Sequence, residues 1–165
     1  MSNKAFYSIV NEGVLLGDMN GSVLSTTPVS ATGATLTCTK DTHAGRTIVI
    51  SAVAGCAVTL PAATGTGSVY RFIIGATITS NSTTIKVANT TDVMSGRAFV
   101  ISDGAAAVLG YATGATSDTI TLNGTTLGGL IGDHIEIIDA IAGTFAVRVF
   151  TAATGTEATP FSATV

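Results

Sequence analysis

The chain has 165 residues, of which 46% are hydrophobic and only 10% are charged, and its formal net charge at pH 7 is −3. An ordinary soluble domain carries about 25% charged residues. The seven Lys and Arg residues are scattered singly. This excludes a basic stripe that would replace phosphate counterions, and we predict no nucleic-acid partner.

Thr, Ala, Gly and Val take the place of the missing charged residues, in short alternating runs. A surface of this composition packs against another protein at little desolvation cost, because few charges lose their water. The composition therefore favours a structural protein that works within an assembly. We predict no enzymatic activity and no cofactor.

The longest uncharged run, residues 47–70, is interrupted by Gly and Pro. It cannot supply the roughly 20 predominantly apolar residues of a membrane-spanning helix, and we predict no membrane partner. Near the N-terminus, Glu12 and Asp18 lie where a signal peptide needs its apolar core. We therefore expect the protein to stay in the cytoplasm of its host until it assembles.

The two cysteines, Cys38 and Cys56, lie in apolar or Thr-rich alternating runs. In a reducing compartment we expect them to be unpaired and to act as small buried apolar side chains, with a disulfide as the alternative. Neither has a neighbouring His or a helix start that would activate a nucleophilic thiol.

From Val29 onward, apolar and polar residues alternate with a period of two, which is typical of strands. A polar turn is expected at residues 40–45. No helix is expected in residues 125–131, because Gly128 and Gly129 disfavour it. The predicted strands are residues 35–39, 46–50, 57–60, 68–74, 84–87, 98–101, 107–111, 119–122, 134–138 and 144–150.

Short strands at about 8–12-residue spacing indicate a sandwich or a barrel. We predict an all-β fold, either an antiparallel β-sandwich or a β-barrel of jelly-roll type, over residues 29–165. Asp103-Gly104 and Asn123-Gly124 are typical of the tight turns of twisted hairpins. Similar turn segments recur without a fixed period, so no solenoid is expected.

Residues 1–28 carry apolar side chains without a clear period and end at Pro28. Two interpretations stay open: an N-terminal arm that orders against a partner, or the first strand or two of the β domain. The candidate docking residues in this segment are Phe6, Tyr7, Val14, Leu15 and Leu16.

Strand alternation places His134 and Glu136 on one face of a strand, opposite Ile135 and Ile137. The alternative is a metal or acid–base site formed by His134, Glu136 and a nearby carboxylate, but His134 and His43 lack metal-ligand spacing. We interpret the His134 and Glu136 face as a solvated or interfacial polar face, with these two residues as candidate subunit contacts.

Five aspartates stand at apparent turns, where an Asp side chain caps the backbone locally. A paired-carboxylate glycosidase site is the alternative. The absence of Trp and the presence of only three Tyr residues count against it, because glycan sites commonly need aromatic platforms. These residues are Asp92, Asp103, Asp118, Asp133 and Asp139.

Five segments carry a resemblance to a known family: residues 45–50, 57–63, 67–75, 132–137 and 143–149. Together they resemble the small β-rich decoration (cement) proteins on the heads of tailed bacteriophages. The resemblance covers about residues 35–150, and the Thr-Leu-Pro-Ala-Ala run at residues 59–63 also occurs in phage tail-fibre and head-fibre modules.

The resemblance implies a homotrimer on the outer surface of the phage head, seated over junctions between major capsid protein subunits. The expected function is a structural virion protein that decorates and stabilises the head. The alternative is a head-fibre or tail-fibre module that binds a host receptor or glycan.

Overall fold

The structure is a computed structural model, and it describes residues 27–104 and 107–165. The first strand of the described residues, β1, begins at Val29. The candidate docking residues Phe6, Tyr7, Val14, Leu15 and Leu16 lie outside the described residues.

Two β-sheets pack together, with strands numbered in chain order. The seven-stranded sheet has the order β1-β3-β5-β10-β11-β7-β8, and the five-stranded sheet has the order β12-β9-β6-β4-β2. The first sheet contains β1 (Val29–Ala31), β3 (Thr47–Ile50), β5 (Val69–Ile74), β7 (Val93–Ser102), β8 (Val108–Ala112), β10 (His134–Ile141) and β11 (Thr144–Ala153). The second contains β2 (Thr35–Thr37), β4 (Ala57–Thr59), β6 (Thr83–Lys86), β9 (Thr119–Leu122) and β12 (Phe161–Ser162).

The predicted all-β sandwich is confirmed, and within the described residues neither sheet closes on itself. The sheets are mixed, however, and not purely antiparallel as in a jelly roll. Five of the ten strand pairings in the described residues are parallel. Alternation within a strand predicts its buried face but not the direction of its neighbour, so this feature was missed.

Strands β1 to β6 alternate between the two sheets and wind around the core. Strands β1, β3 and β5 are parallel neighbours in one sheet, and β2, β4 and β6 in the other. This is a short coil of the solenoid kind, which the sequence analysis did not expect. The stacked residues Val29, Ile48 and Phe72 are 19 and then 24 residues apart, so unequal loops hide the repeat.

The core is built from rows of apolar residues that run across the strands. Ile48, Phe72, Ile135 and Val149 are direct neighbours on four adjacent strands, and all are fully buried. Burying each large side chain contributes about 1.5–3 kcal/mol. A second fully buried row, in the five-stranded sheet, is Val58, Ile85 and Ile120.

The polar turn predicted at residues 40–45 contains one short helix, α1 (Lys40–His43). Thr39 caps it, because its hydroxyl oxygen accepts a hydrogen bond from the Thr42 N–H. His43 is buried, and its Nδ1 accepts from the Thr39 N–H at 3.0 Å. Burial, with a smaller contribution from the nearby Arg46 charge, lowers the pKa of His43. His43 therefore has a structural role in this turn.

Of the two predicted tight hairpin turns, one lies in a hairpin, but within a loop of five residues. Asp103-Gly104 lies between the antiparallel strands β7 and β8, in a loop long enough that Gly104 does not need a positive φ. Asn123-Gly124 forms a turn with φ +77° at Gly124, but β9 pairs with β6 and β12. The turn therefore leads into a loop, whose backbone N–H groups at Thr125 and Leu127 donate to Asn123 Oδ1.

The turn aspartates were predicted to cap their own turns, but most of their hydrogen bonds join distant segments. Asp103 is exposed, whereas Asp92, Asp118, Asp133 and Asp139 are buried. The acceptor and donor pairs include Asp92 with Ala63 N, Asp118 with Thr164 N, Asp133 with Ala152 N, and Asp139 with Thr64 N, Gly65 N and Thr66 N. Carboxylates that accept several backbone N–H groups hold loops together, a role that sequence spacing does not reveal.

Cys38 and Cys56 are both buried free thiols, as the first of the two interpretations expected. In the β2–β4 register, Thr37 faces Thr59 and Thr35 faces Ala57, so the two cysteines are offset by four residues along the strands. At about 3.3 Å per residue this is about 13 Å, beyond the roughly 7 Å limit between the Cα atoms of a disulfide.

Because both are buried, the thiols of Cys38 and Cys56 should resist chemical modification in the native protein. Burial, with a smaller electrostatic contribution from Cys56, raises the pKa of the Cys38 thiol to about 12, and burial also raises the pKa of Cys56. We expect almost no reaction of the folded protein with a thiol-specific aromatic disulfide at mildly alkaline pH, and rapid reaction of both thiols in concentrated guanidinium chloride. Fast reaction of either thiol in the native protein would contradict this prediction.

Candidate functional site

The candidate site is the outer face of the seven-stranded sheet, meaning the face turned away from the five-stranded sheet. In β10, Ile135 and Ile137 are fully buried, while His134 and Glu136 lie half-buried on the outer face. The predicted placement of His134 and Glu136 on one face is therefore confirmed. Their role as subunit contacts stays a prediction.

A row of charged side chains crosses four adjacent strands of the outer face. Glu136 of β10 is directly opposite Arg71 of β5 and Arg148 of β11, and Arg148 is opposite Arg97 of β7. Arg71 Nε lies 3.3 Å from Glu136 Oε2, and Arg148 Nη1 lies 3.8 Å from Glu136 Oε1. Two arginines thus flank the Glu136 carboxylate, and a third, Arg97, lies one strand further along the row.

The charged row carries an excess of positive charge at its β7 end. Arg97 forms no ion pair within the described residues, and its Nη1 donates to the backbone oxygen of Gly96 at 2.9 Å. Like charges directly opposite on neighbouring strands repel each other. The row of three arginines and one glutamate therefore keeps an excess of positive charge, although Arg148 lies 3.8 Å from Glu136.

An exposed apolar patch lies beside this charge. Phe99 and Phe150 are direct neighbours on parallel strands, and their rings stack with centroids 5.4 Å apart and an interplanar angle of 15°. They are 44% and 50% exposed. Ile101 and Val108, a cross-strand pair of the β7–β8 hairpin, are 56% and 63% exposed on the same face. Such a patch is typical of an interaction surface.

A shallow depression of about 420 Å³ joins the charged and apolar parts of the outer face. Gly96 and Ala146 contribute little side-chain volume to it, whereas Arg97, Arg148 and the stacked phenylalanines rise around it. Gly96 cannot be enlarged, because a Cβ atom there would clash with the carbonyl oxygen of Val147. The complete lining is Ser95, Gly96, Arg97, Phe99, Glu136, Ile138, Ala146, Val147, Arg148 and Phe150.

The structure brings together residues that the sequence analysis did not select. Arg97-x-Phe99 in β7 and Arg148-x-Phe150 in β11 are the same triplet. The parallel register pairs arginine with arginine and phenylalanine with phenylalanine. The repeated Arg-x-Phe triplet was the signal available in the sequence, but its meaning depends on a pairing between strands far apart in the chain.

Neither a cluster of metal-ligating side chains nor a hydrogen-bond partner for His134 Nε2 is found in the described part of the chain. Within residues 27–104 and 107–165, no group of three or more His, Cys, Asp or Glu side chains is placed to hold a metal ion. The Nε2 atom of His134 is buried without a hydrogen-bond partner. His134 lies opposite Ile73 and Phe150, so its neighbours across the sheet are apolar.

Comparisons with known proteins leave the family open, since no protein-family model, curated protein or solved structure matches this chain. None of the helices in the described part of the chain has the length and apolarity needed to cross a membrane.

The Arg71–Glu136–Arg148 ion pairs should contribute little to folding. The side chains of Arg71 and Arg148 are 42% and 70% exposed, and exposed ion pairs stabilise proteins by about 0–1 kcal/mol. We expect Glu136→Gln to lower the free energy of unfolding by less than about 1 kcal/mol in urea titrations. A much larger loss of unfolding free energy would mean that the main role of Glu136 is to stabilise the fold and not to form part of an interaction surface.

Proposed function

We propose that the protein is a structural virion protein that decorates and stabilises the head of a tailed phage by binding across major capsid protein subunits. The resemblance of residues 35–150 to decoration proteins supports this proposal, as does the low charge of the chain. The observation that carries it is the outer face, where an exposed apolar patch lies beside a row of three arginines and one glutamate.

The physical argument concerns what a partner would bury. A partner that covers the stacked phenylalanines, together with Ile101 and Val108, removes their apolar surface from water. This burial stabilises the complex by about 25 cal/mol for each Å² of apolar surface. The capsid lattice repeats such a contact many times, so contacts that are individually weak together give strong binding to the capsid. A homotrimer on the outer surface of the head, assembled in the host cytoplasm, is part of this proposal.

The test is co-sedimentation of the purified protein with expanded, DNA-free heads of the phage that encodes it. We expect saturable binding and an increased resistance of the heads to heat. Replacing both exposed rings, Phe99→Thr with Phe150→Thr, should reduce binding at least about tenfold. Val53→Thr is the matched control, since Val53 is 49% exposed but lies outside the outer face.

Two further results would decide against this function. A protein that stays monomeric in mass measurements and does not bind the heads would contradict it. Specific binding on a glycan array by such a protein would favour the alternative of a fibre module, because the stacked Phe99 and Phe150 rings could then serve as a sugar platform.

A further inference from the structure

The outer face offers two kinds of contact at a fixed spacing. Arg97 and Phe99 are two residues apart on β7, and Arg148 and Phe150 are two residues apart on β11. The arginine row and the phenylalanine row are therefore separated by about 7 Å along the strands. The 420 Å³ depression touches both rows, so one ligand can contact both.

We propose that the partner of this face is an acidic, apolar segment of another protein, bound in extended conformation. Its carboxylate accepts hydrogen bonds from Arg97 and Arg148, and an aromatic or aliphatic side chain two residues away lies on the Phe99–Phe150 pair. Residues i and i+2 of an extended chain share one side and are about 7 Å apart, which matches the spacing of the two rows. This inference rests on the proposed function, for which it specifies the chemistry of the partner.

Charge complementarity selects this partner over a second copy of the chain. The charged row contains three arginines and one glutamate, so two copies packed face to face would bring like charges together, which opposes association. A carboxylate-bearing partner gives Arg97 the ion pair that it lacks in the described residues. The planar guanidinium groups are suited to bidentate binding of a carboxylate.

The experiment selects peptides from a random dodecapeptide library on the immobilised folded protein, and then measures binding of the consensus peptide by fluorescence anisotropy. We expect enrichment of Asp or Glu two residues from Phe, Leu or Ile. The double variant Arg97→Gln with Arg148→Gln should bind the consensus peptide at least about tenfold more weakly. The matched control, Lys40→Gln with Lys86→Gln, removes two charges elsewhere and should bind normally.

Several outcomes would overturn the inference. These are selected peptides without carboxylate enrichment, equal binding by the arginine variant, or binding only to vesicles that contain phosphatidylserine. Circular dichroism of both double variants checks that each is folded.

The head-binding assay separates this inference from the proposed function. Normal binding of the arginine variant to heads would contradict the inference alone. If the wild-type protein selects acidic peptides but does not bind phage heads, the proposed function alone is contradicted.

Discussion

Gly124→Ala is expected to destabilise the protein by more than about 3 kcal/mol, because two independent penalties coincide there. The residue has φ +77°, a conformation that costs an L-residue about 1–2 kcal/mol. A Cβ atom would also clash with the backbone oxygen of Ile78. That oxygen belongs to the main chain and cannot rotate away, so the loop after β9 would have to move.

Three other glycines separate the two penalties experimentally. Gly67 has φ +72° with open space around a Cβ, Gly96 lacks the positive φ but has the clash with Val147, and Gly104 has neither penalty. We expect a loss of about 1 kcal/mol for Gly67→Ala and less than about 0.5 kcal/mol for Gly104→Ala. Gly96→Ala should lie between Gly67→Ala and Gly124→Ala.

Urea-induced unfolding, followed by circular dichroism, measures all four variants. A Gly124→Ala protein with nearly wild-type stability would show that the loop can rearrange at little cost. In that case the close packing of residues 123–133 against Ile78 would not be needed for the fold.

Asp139→Asn is expected to lower the free energy of unfolding by about 2–3 kcal/mol at neutral pH. The Asp139 carboxylate is 4% exposed and accepts from Thr64 N at 2.9 Å, Gly65 N at 2.7 Å and Thr66 N at 3.0 Å. It also accepts from Thr66 Oγ1 at 2.7 Å. These bonds attach the loop between β4 and β5 to β10, and an amide replaces one of the two acceptor oxygens with a donor.

The stability loss caused by Asp139→Asn should depend on pH in a defined direction. Burial alone would raise the pKa of Asp139, but the hydrogen bonds from Thr66, Gly65 and Thr64 together outweigh it and lower the pKa. A lowered folded-state pKa means that the stabilisation is complete above the unfolded-state value near 3.8 and is lost as the pH falls through the folded-state pKa. The stability difference between wild type and Asp139→Asn should therefore shrink below about pH 3.8.

Urea titrations at a series of pH values test this, with Asp103→Asn as the control because Asp103 is exposed. We expect the control to stay within about 0.5 kcal/mol of wild type throughout. A pH-independent loss for Asp139→Asn would mean that the carboxylate charge does not hold the loop.

Asp133 should change the pH dependence of stability in the opposite direction. Its carboxylate accepts from Gly129 N, Leu130 N and Ala152 N, yet burial outweighs these bonds and raises its pKa. A raised folded-state pKa means that ionisation costs stability as the pH rises through that pKa. The pKa of Asp118 is lowered, like that of Asp139, because its hydrogen bonds outweigh its burial. Asp133 therefore partly offsets the loss of stability at acid pH that Asp139 and Asp118 cause.

Local alternation was sufficient to predict most strands of this protein. Residues 69–74, 119–122 and 134–138 lie in strands as expected, because an apolar residue at every second position can be buried only if the chain is extended. The shared face of His134 and Glu136 follows from the same period. The burial of Cys38 and Cys56 was also predictable, from their apolar surroundings.

By itself, the sequence determined which segments are extended, which side of each faces the core, and that little charge was available for the surface. Tertiary structure alone decided the winding of β1 to β6, the long-range hydrogen bonds of Asp139, and the pairing of Arg97 with Arg148 and Phe99 with Phe150. The physical reason is that alternation describes one strand at a time. Strand order and register depend on loop lengths and on the packing of both sheets, which no local pattern encodes.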